Sequence, residues 1–165
     1  MLTDVVTLPT LILGIGNVLL SDDGVGIHVI RALQAMQKSG EVAASVALRD
    51  GGTIGLSLLT EFADYPSLIA VDAAELGAAP GTVRTFLGDE MDRQLGGTKR
   101  SAHEVALSDL IGAAHLSGSA PAMRALIAIQ PASTDWGLEP TDAVKAAVPV
   151  ACAVALSIMK DWSHA

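Results

Sequence analysis

The chain has 165 residues, half of them apolar yet only 3% aromatic, and ten basic against eighteen acidic side chains leave a net charge of −8. That length suits a single domain, residues 1–165, with one core filled by Ala, Val, Leu and Ile. The acidic balance argues against nucleic acid or an anionic membrane as partner, since both require a basic patch; it is compatible with a basic peptide tail or a metal-bearing substrate.

Leu11-Ile12-Leu13 is a short apolar run of the kind found in a parallel strand buried on both faces. Gly14-Ile15-Gly16-Asn17 breaks it with turn residues, and a helix follows with Val25, Val29, Leu33 and Met36 on one stripe and Lys38 and Gly40 as stop signals. Residues 42–48 read as a second strand, closed by an Arg49-Asp50-Gly51-Gly52 turn, and Thr53 is placed to cap a short helix through Phe62. Residues 67–72 form a third strand, apolar until its carboxyl end. Pro80-Gly81 turns the chain into a strand at 82–87, where the short connection favours antiparallel pairing.

Residues 88–100 read as a polar loop hinged at Gly96-Gly97. Ser101 opens a helix with the stripe His103, Leu107, Leu110, Ile111 and Ala114, and residues 125–129 are the last strand. Thr141 caps a final helix to about Trp162, inside which Pro149 removes one N–H bond and should produce a kink. Strands alternating with helices predict an α/β fold, a three-layer α/β/α sandwich around a mostly parallel sheet.

Cys152 is the only cysteine, which excludes a disulfide framework and a thiolate cluster; in its apolar helical stretch it reads as a buried, inert thiol. The N-terminal apolar run carries Asp4 and lacks a basic leader, and the Ala-rich run near the C-terminus contains Lys145 and Pro149 and is short for a bilayer. A soluble, cytoplasmic protein is the expectation.

Strand, glycine turn and helix suggest a nucleotide fold, but Leu19 stands where the dinucleotide fingerprint needs a glycine. Asp22 and Asp23 at the helix start would also repel phosphate. In an open α/β sheet ligands sit beyond the carboxyl ends of the strands. Asp23 follows the first strand, Asp72 ends the third, and His103 can enter the same space from the start of its helix. Together they make an O/O/N donor set suited to nickel or zinc.

Each of these residues also has a plain structural use. Asp23 could complement the helix dipole, and His103 could be satisfied by backbone; Asp72 is harder to explain away, because a carboxylate ending an apolar strand is costly to bury alone. Asp22 is expected to point away and cap the helix, and His28 to lie on a solvated flank. Asp50-Gly51-Gly52-Thr53 is either a simple turn or a close approach for a substrate backbone. Trp136 lines a peptide groove or packs at a rim. No G-x-S-x-G elbow and no H-E-x-x-H occurs, which removes the familiar serine and zinc hydrolase arrangements.

Gly14, Gly16, Asn17, Leu20, Asp22, Asp23, Gly24 and Gly26 fit the opening motif of the nickel–iron hydrogenase maturation proteases. Asp50-Gly51-Gly52-Thr53 with Gly55-Leu56, Val71-Asp72-Ala73, Pro80-Gly81-Thr82 and Ser101-Ala102-His103 follow in the family's order, so the resemblance covers nearly the whole chain. It implies a five-stranded sheet with one antiparallel strand, and an endopeptidase that trims the C-terminal extension of a hydrogenase large subunit after nickel insertion. Its partner would be the nickel-loaded precursor, cleaved beyond a motif that holds cysteine ligands of the metal.

On the same resemblance Asp23, Asp72 and His103 bind the nickel, with zinc or cadmium as surrogates. Asp23 and Asp72 are the catalytic carboxylates, and Gly51, Gly52 and Thr53 contact substrate. Many members carry Glu where this chain has Asp23, which shortens the reach here by one bond, roughly 1.5 Å. A nickel-binding module without hydrolysis and a nucleotide-binding domain are the rival readings.

Overall fold

A computed structural model describes residues 8–52, 58–97 and 102–165. In chain order it contains β1 (Thr10–Ile15), a 3₁₀ turn (Ser21–Gly24), α1 (Val25–Lys38), β2 (Ala47–Gly52), α2 (Leu58–Phe62), β3 (Ser67–Ala73), β4 (Val83–Leu87), α3 (Asp89–Leu95), α4 (Ala102–Ser117), β5 (Met123–Ile129) and α5 (Asp142–Ser163). The strands form one sheet in the order β2-β1-β3-β5-β4, with every neighbouring pair parallel except β4 on β5. This is the expected sandwich.

Both faces of the sheet are covered, which is why β1 and β3 are apolar and buried along their whole length rather than alternating. Ile12, Ile69, Val71 and Ile127 pack against Val29, Leu33, Ala151 and Ala155 of α1 and α5. Leu11, Leu13, Leu68, Ala70 and Leu126 face the other way, against Phe62, Met91, Leu107 and Ile111 from α2, α3 and α4. Alternation with period two therefore puts Asp72 on the second face, in line with Leu68 and Ala70 and towards α4.

Four expectations need correction. β2 begins at Ala47, so residues 42–46 precede the strand and the supposed Arg49–Gly52 turn is strand, pairing with β1 through Asp50↔Gly14 and Gly52↔Ile15. An edge strand with one partner is only half covered and needs no apolar run; Val42 is buried, but outside the sheet. β4 is antiparallel as expected, but its partner is β5 and not the preceding β3, because the connection crosses the end of β5 and returns on its far side. Gln130 holds that crossing: its Oε1 accepts from Leu76 N–H (2.6 Å), its backbone N–H donates to Thr82 O and its carbonyl accepts from Gly81 N–H, both at 2.9 Å.

The supposed polar loop contains α3. Met91 and Leu95 stand four apart and are buried, Asp89, Glu90 and Asp92 sit in the first turn where the helix dipole favours acids, and Arg124 of β5 grips Asp92 with Nε at 2.9 Å and a second nitrogen at 2.5 Å. The fourth correction concerns the length of α5: with Pro149 inside it as expected, the helix runs 22 residues and is long and apolar enough to cross a bilayer by length and composition. Its apolarity belongs to the fold: Val144, Ala147, Ala151, Cys152, Ala155 and Ile158 are its buried positions within the core.

α1 lies unusually close to the sheet because Gly26 has no side chain. A Cβ there would stand 2.3 Å from the Val71 carbonyl oxygen and 2.4 Å from that of Ile15, both backbone atoms of adjacent strands. Gly26→Ala should therefore lower stability by about 3 kcal/mol. Gly112→Ala, at an open helical position with nothing within 4 Å, should raise it by about 0.5–1 kcal/mol. Urea denaturation of both variants checks the pair; equal midpoints would show that α1 can retreat without cost.

Candidate active site

β1 and β3 are neighbours, so the chain leaving β1 and the carboxyl end of β3 open at the same end of the sheet. Asp23 sits in the 3₁₀ turn between β1 and α1. Its Oδ2 accepts the backbone N–H of Asn17 at 3.0 Å and lies 3.3 Å from His103 Nε2 in the first turn of α4. Both side chains are mostly shielded, and the contact polarises the pair: His103 holds the Asp23 carboxyl below its usual range, and Asp23 raises the imidazole above its own.

Asp72 lies beneath them, 2% exposed, and its Oδ1 finds no hydrogen-bond partner among the described residues. Burial first, then the Asp23 and Glu104 charges, push its carboxyl well above the ordinary range; the Ala73 N–H opposes this only in part. Asp23, Asp72, Glu104 and His103 thus crowd three acids and one imidazole into one end of the sandwich. What such a site lacks is positive charge.

Beside the pair lies a cleft of about 300 Å³ lined by His103, Gly16, Asn17, Val18, Asp50 and Gly52. The structure thus brings His103 to the cleft, Asp23 into contact with it, and Asp72 under the influence of Asp23. It does not draw the three into a closed coordination sphere: among the described residues, no three His, Cys, Asp or Glu side chains converge as a ready metal cage. Gly52 lines the cleft, whereas Gly51 abuts Leu13 and the Gly14 carbonyl. Thr53 and Ser101 fall outside the described residues.

Asp22 points away from Asp23, as expected, but it does not cap the helix. It is fully buried, and its carboxylate collects four hydrogen bonds from the segment joining β5 to α5: Oδ2 accepts from Ala132 N–H (2.8 Å), Ser133 N–H (3.1 Å) and the Thr141 hydroxyl (2.8 Å), and Oδ1 accepts from Thr141 N–H (2.6 Å). Burial alone would raise its carboxyl; these four donors outweigh it and hold the group low. Thr141 still precedes α5, but its hydroxyl is spent on Asp22 and not on capping its own helix.

His28 is not on a solvated flank either: its Nε2 is buried and burial pushes its imidazole down. Trp136 is 82% exposed and stands apart from the cleft lining. Cys152 is buried with its thiol pushed up by burial, as expected.

Glu104 was not legible as a site residue, although a signal existed. The buried positions of α4 are Glu104, Leu107, Leu110, Ile111 and Ala114, so the residue that continues the core stripe into the first turn is Glu104, and His103 stands beside it, partly shielded. An acid at an apolar spacing marks a buried charge.

A family model described as hydrogenase maturation protease matches residues 27–158. The chain is 35% identical over 156 residues to the hydrogenase expression/formation protein HupD of Rhizobium leguminosarum bv. viciae, covering 94% of this chain and 76% of that one. It is 32% identical over 152 residues to the hydrogenase 2 maturation protease of Escherichia coli K12, covering 92% and 90%. Among solved structures, the hydrogenase maturating endopeptidase HybD from E. coli superposes with a TM-score of 0.83 at 29% identity, over 92% of each chain.

Asp22 and Asp72 should respond in opposite ways to loss of charge. Asp22→Asn leaves at least one buried N–H facing an amide nitrogen and should cost about 2–4 kcal/mol. Asp72→Asn removes a carboxylate whose folded-state range lies above its unfolded value of 3.8, so ionisation costs stability as pH rises past about 4. The Asn variant should match the wild type below that pH and equal or exceed it in stability at pH 7. Denaturation midpoints from pH 3.5 to 7.5 decide it; a wild type that gains stability over Asp72→Asn as pH rises would show that Asp72 is paired in the fold.

Proposed function

The chain belongs to the hydrogenase maturation protease family and processes the C-terminal extension of a hydrogenase large subunit; from that premise we propose that it acts on the nickel-loaded precursor and that this nickel is its recognition signal. The observation that carries the proposal is the orphaned Oδ1 of Asp72 beneath the Asp23–His103 pair. A buried carboxylate with an unused lone pair, beside two further acids, suits an arriving cation. Carboxylate and imidazole donors together suit nickel, with zinc or cadmium as surrogates.

On this reading the nickel is part of the substrate. Its approach gives His103 Nε2 a better partner than Asp23, frees Asp23 Oδ2 towards the metal, and offsets the burial and repulsion that raise the Asp72 carboxyl, favouring its ionised form. Asp23 and Asp72 serve as the carboxylates of the reaction, holding the metal-bearing end of the precursor or activating the attacking water as general base. The metal supplies Lewis-acid polarisation of the scissile carbonyl. The cleft beside His103, with Asp50 and Gly52 in its wall, takes the tail backbone. We place the reaction in the cytoplasm, where the precursor would meet a protease whose one thiol is buried.

His103→Ala should abolish processing of nickel-loaded precursor, shift the thermal midpoint by less than about 1 kcal/mol of stability, and leave metal-free precursor uncleaved as before. A His103→Ala variant that still processes, or wild-type enzyme that cleaves nickel-free precursor equally well, would overturn the nickel reading.

A further inference from the structure

The turn after β1 and the segment after β5 are joined into one ledge beside the cleft. Gly137 N–H donates to the Leu19 carbonyl at 2.9 Å, Ser21 N–H to the Gly137 carbonyl at 2.8 Å, and Asp22 N–H to the Ser133 carbonyl at 3.1 Å. The Ser21 hydroxyl donates to the Asp135 carbonyl at 2.7 Å, and Leu20 and Gly137 form a parallel bridge. Ser21 accepts a left-handed φ of 50°, a conformation that non-glycine residues rarely adopt. The buried Asp22 carboxylate fastens the ledge from below with four hydrogen bonds.

This fastening holds three large apolar side chains out in water: Trp136 is 82% exposed, Leu138 68% and Leu19 47%. A rigid loop presenting Trp and Leu is the arrangement of an interface anchor, whose ordering cost is already met before binding. We infer that the ledge docks an apolar patch on the folded body of the hydrogenase precursor while the cleft takes its tail; the inference rests on the function proposed above.

Size and charge select that occupant. Three side chains offer at most a few hundred Å², short of the roughly 800 Å² per partner in a stable association, so the ledge needs a second contact on the same partner. The adjoining cleft supplies it, because Val18 lines the cleft and Leu19 is the next residue. Exposed Asp135 and Glu139 flank the apolar side chains, Glu139 partly answered by Lys145 at 3.8 Å. Such a border repels an anionic bilayer and fits an apolar patch with basic neighbours. A second copy of this chain carries the same acidic border and a net charge of −8, so two ledges meeting would repel.

The test is steady-state processing of nickel-loaded precursor by wild type, by the double variant Trp136→Ala/Leu138→Ala, and by Leu116→Ala, an equally exposed apolar residue at the far end of α4. Thermal midpoints and sedimentation are measured alongside. The expected result is a KM raised tenfold or more in the double variant with kcat within twofold, and neither constant changed in Leu116→Ala. An unchanged KM in the double variant while wild type processes the precursor would overturn the docking ledge and leave the proposed function standing. Wild-type self-association that the double variant loses would also overturn it, assigning the ledge to a second copy. A wild type that does not process the precursor at all would overturn both.

Discussion

Two adjacent aspartates leave the same turn in opposite directions, and the site depends on that divergence. The carboxylate of Asp22 turns inward and is consumed by the backbone and hydroxyl donors of the β5–α5 segment, so it contributes anchoring and no available charge. With its neighbour fixed, Asp23 has little latitude: its Oδ2 meets Asn17 N–H and His103. The anchor also sets the start of α5, since Thr141 is bound at both its N–H and its hydroxyl. One buried carboxylate thus coordinates the turn after β1, the segment after β5 and the entry to the longest helix. Charge-assisted hydrogen bonds of this kind are about twice as strong as neutral ones, which is what a junction of three elements requires.

Asp72 works by the opposite physics. It takes its position from strand alternation, which sends it to the α4 face along with Leu68 and Ala70, and it meets Glu104, the acid that extends the buried stripe of α4. Neither residue could be buried cheaply in the charged form. The fold tolerates them because the sheet and helix are fixed by apolar contacts elsewhere, and because protonation relieves Asp72. The result is a frustrated corner in an otherwise consistent core, and departures of that kind concentrate at functional sites.

The layered fold was legible because β1, β3 and β5 are continuous apolar runs and the helices between them carry clear stripes. β2 was misplaced because an edge strand packed on one side leaves no such run, and its glycines imitate a turn. α3 was hidden for the reverse reason: four of its seven residues are charged, and only Met91 and Leu95 mark its buried side. In the site, motif and strand end pointed to Asp23 and Asp72, and Asp23 does meet His103. The fate of Asp22 could not be read, because its partners lie more than a hundred residues away and three of its four bonds come from backbone N–H groups. Glu104 was missed where the helical stripe was drawn one residue early.

The donor set has a consequence for what happens to the metal after cleavage. Asp23, Asp72 and His103 offer oxygen and imidazole nitrogen, and the single thiol of the chain, at Cys152, is enclosed in the core and pushed up by burial. Thiolates bind late first-row metals more tightly than carboxylates do. On the proposed reading, a precursor that holds nickel by cysteine outcompetes this protease at every stage of their encounter. On that proposal the enzyme would sense the ion and use its charge without being able to strip it, and the nickel would depart with the processed subunit.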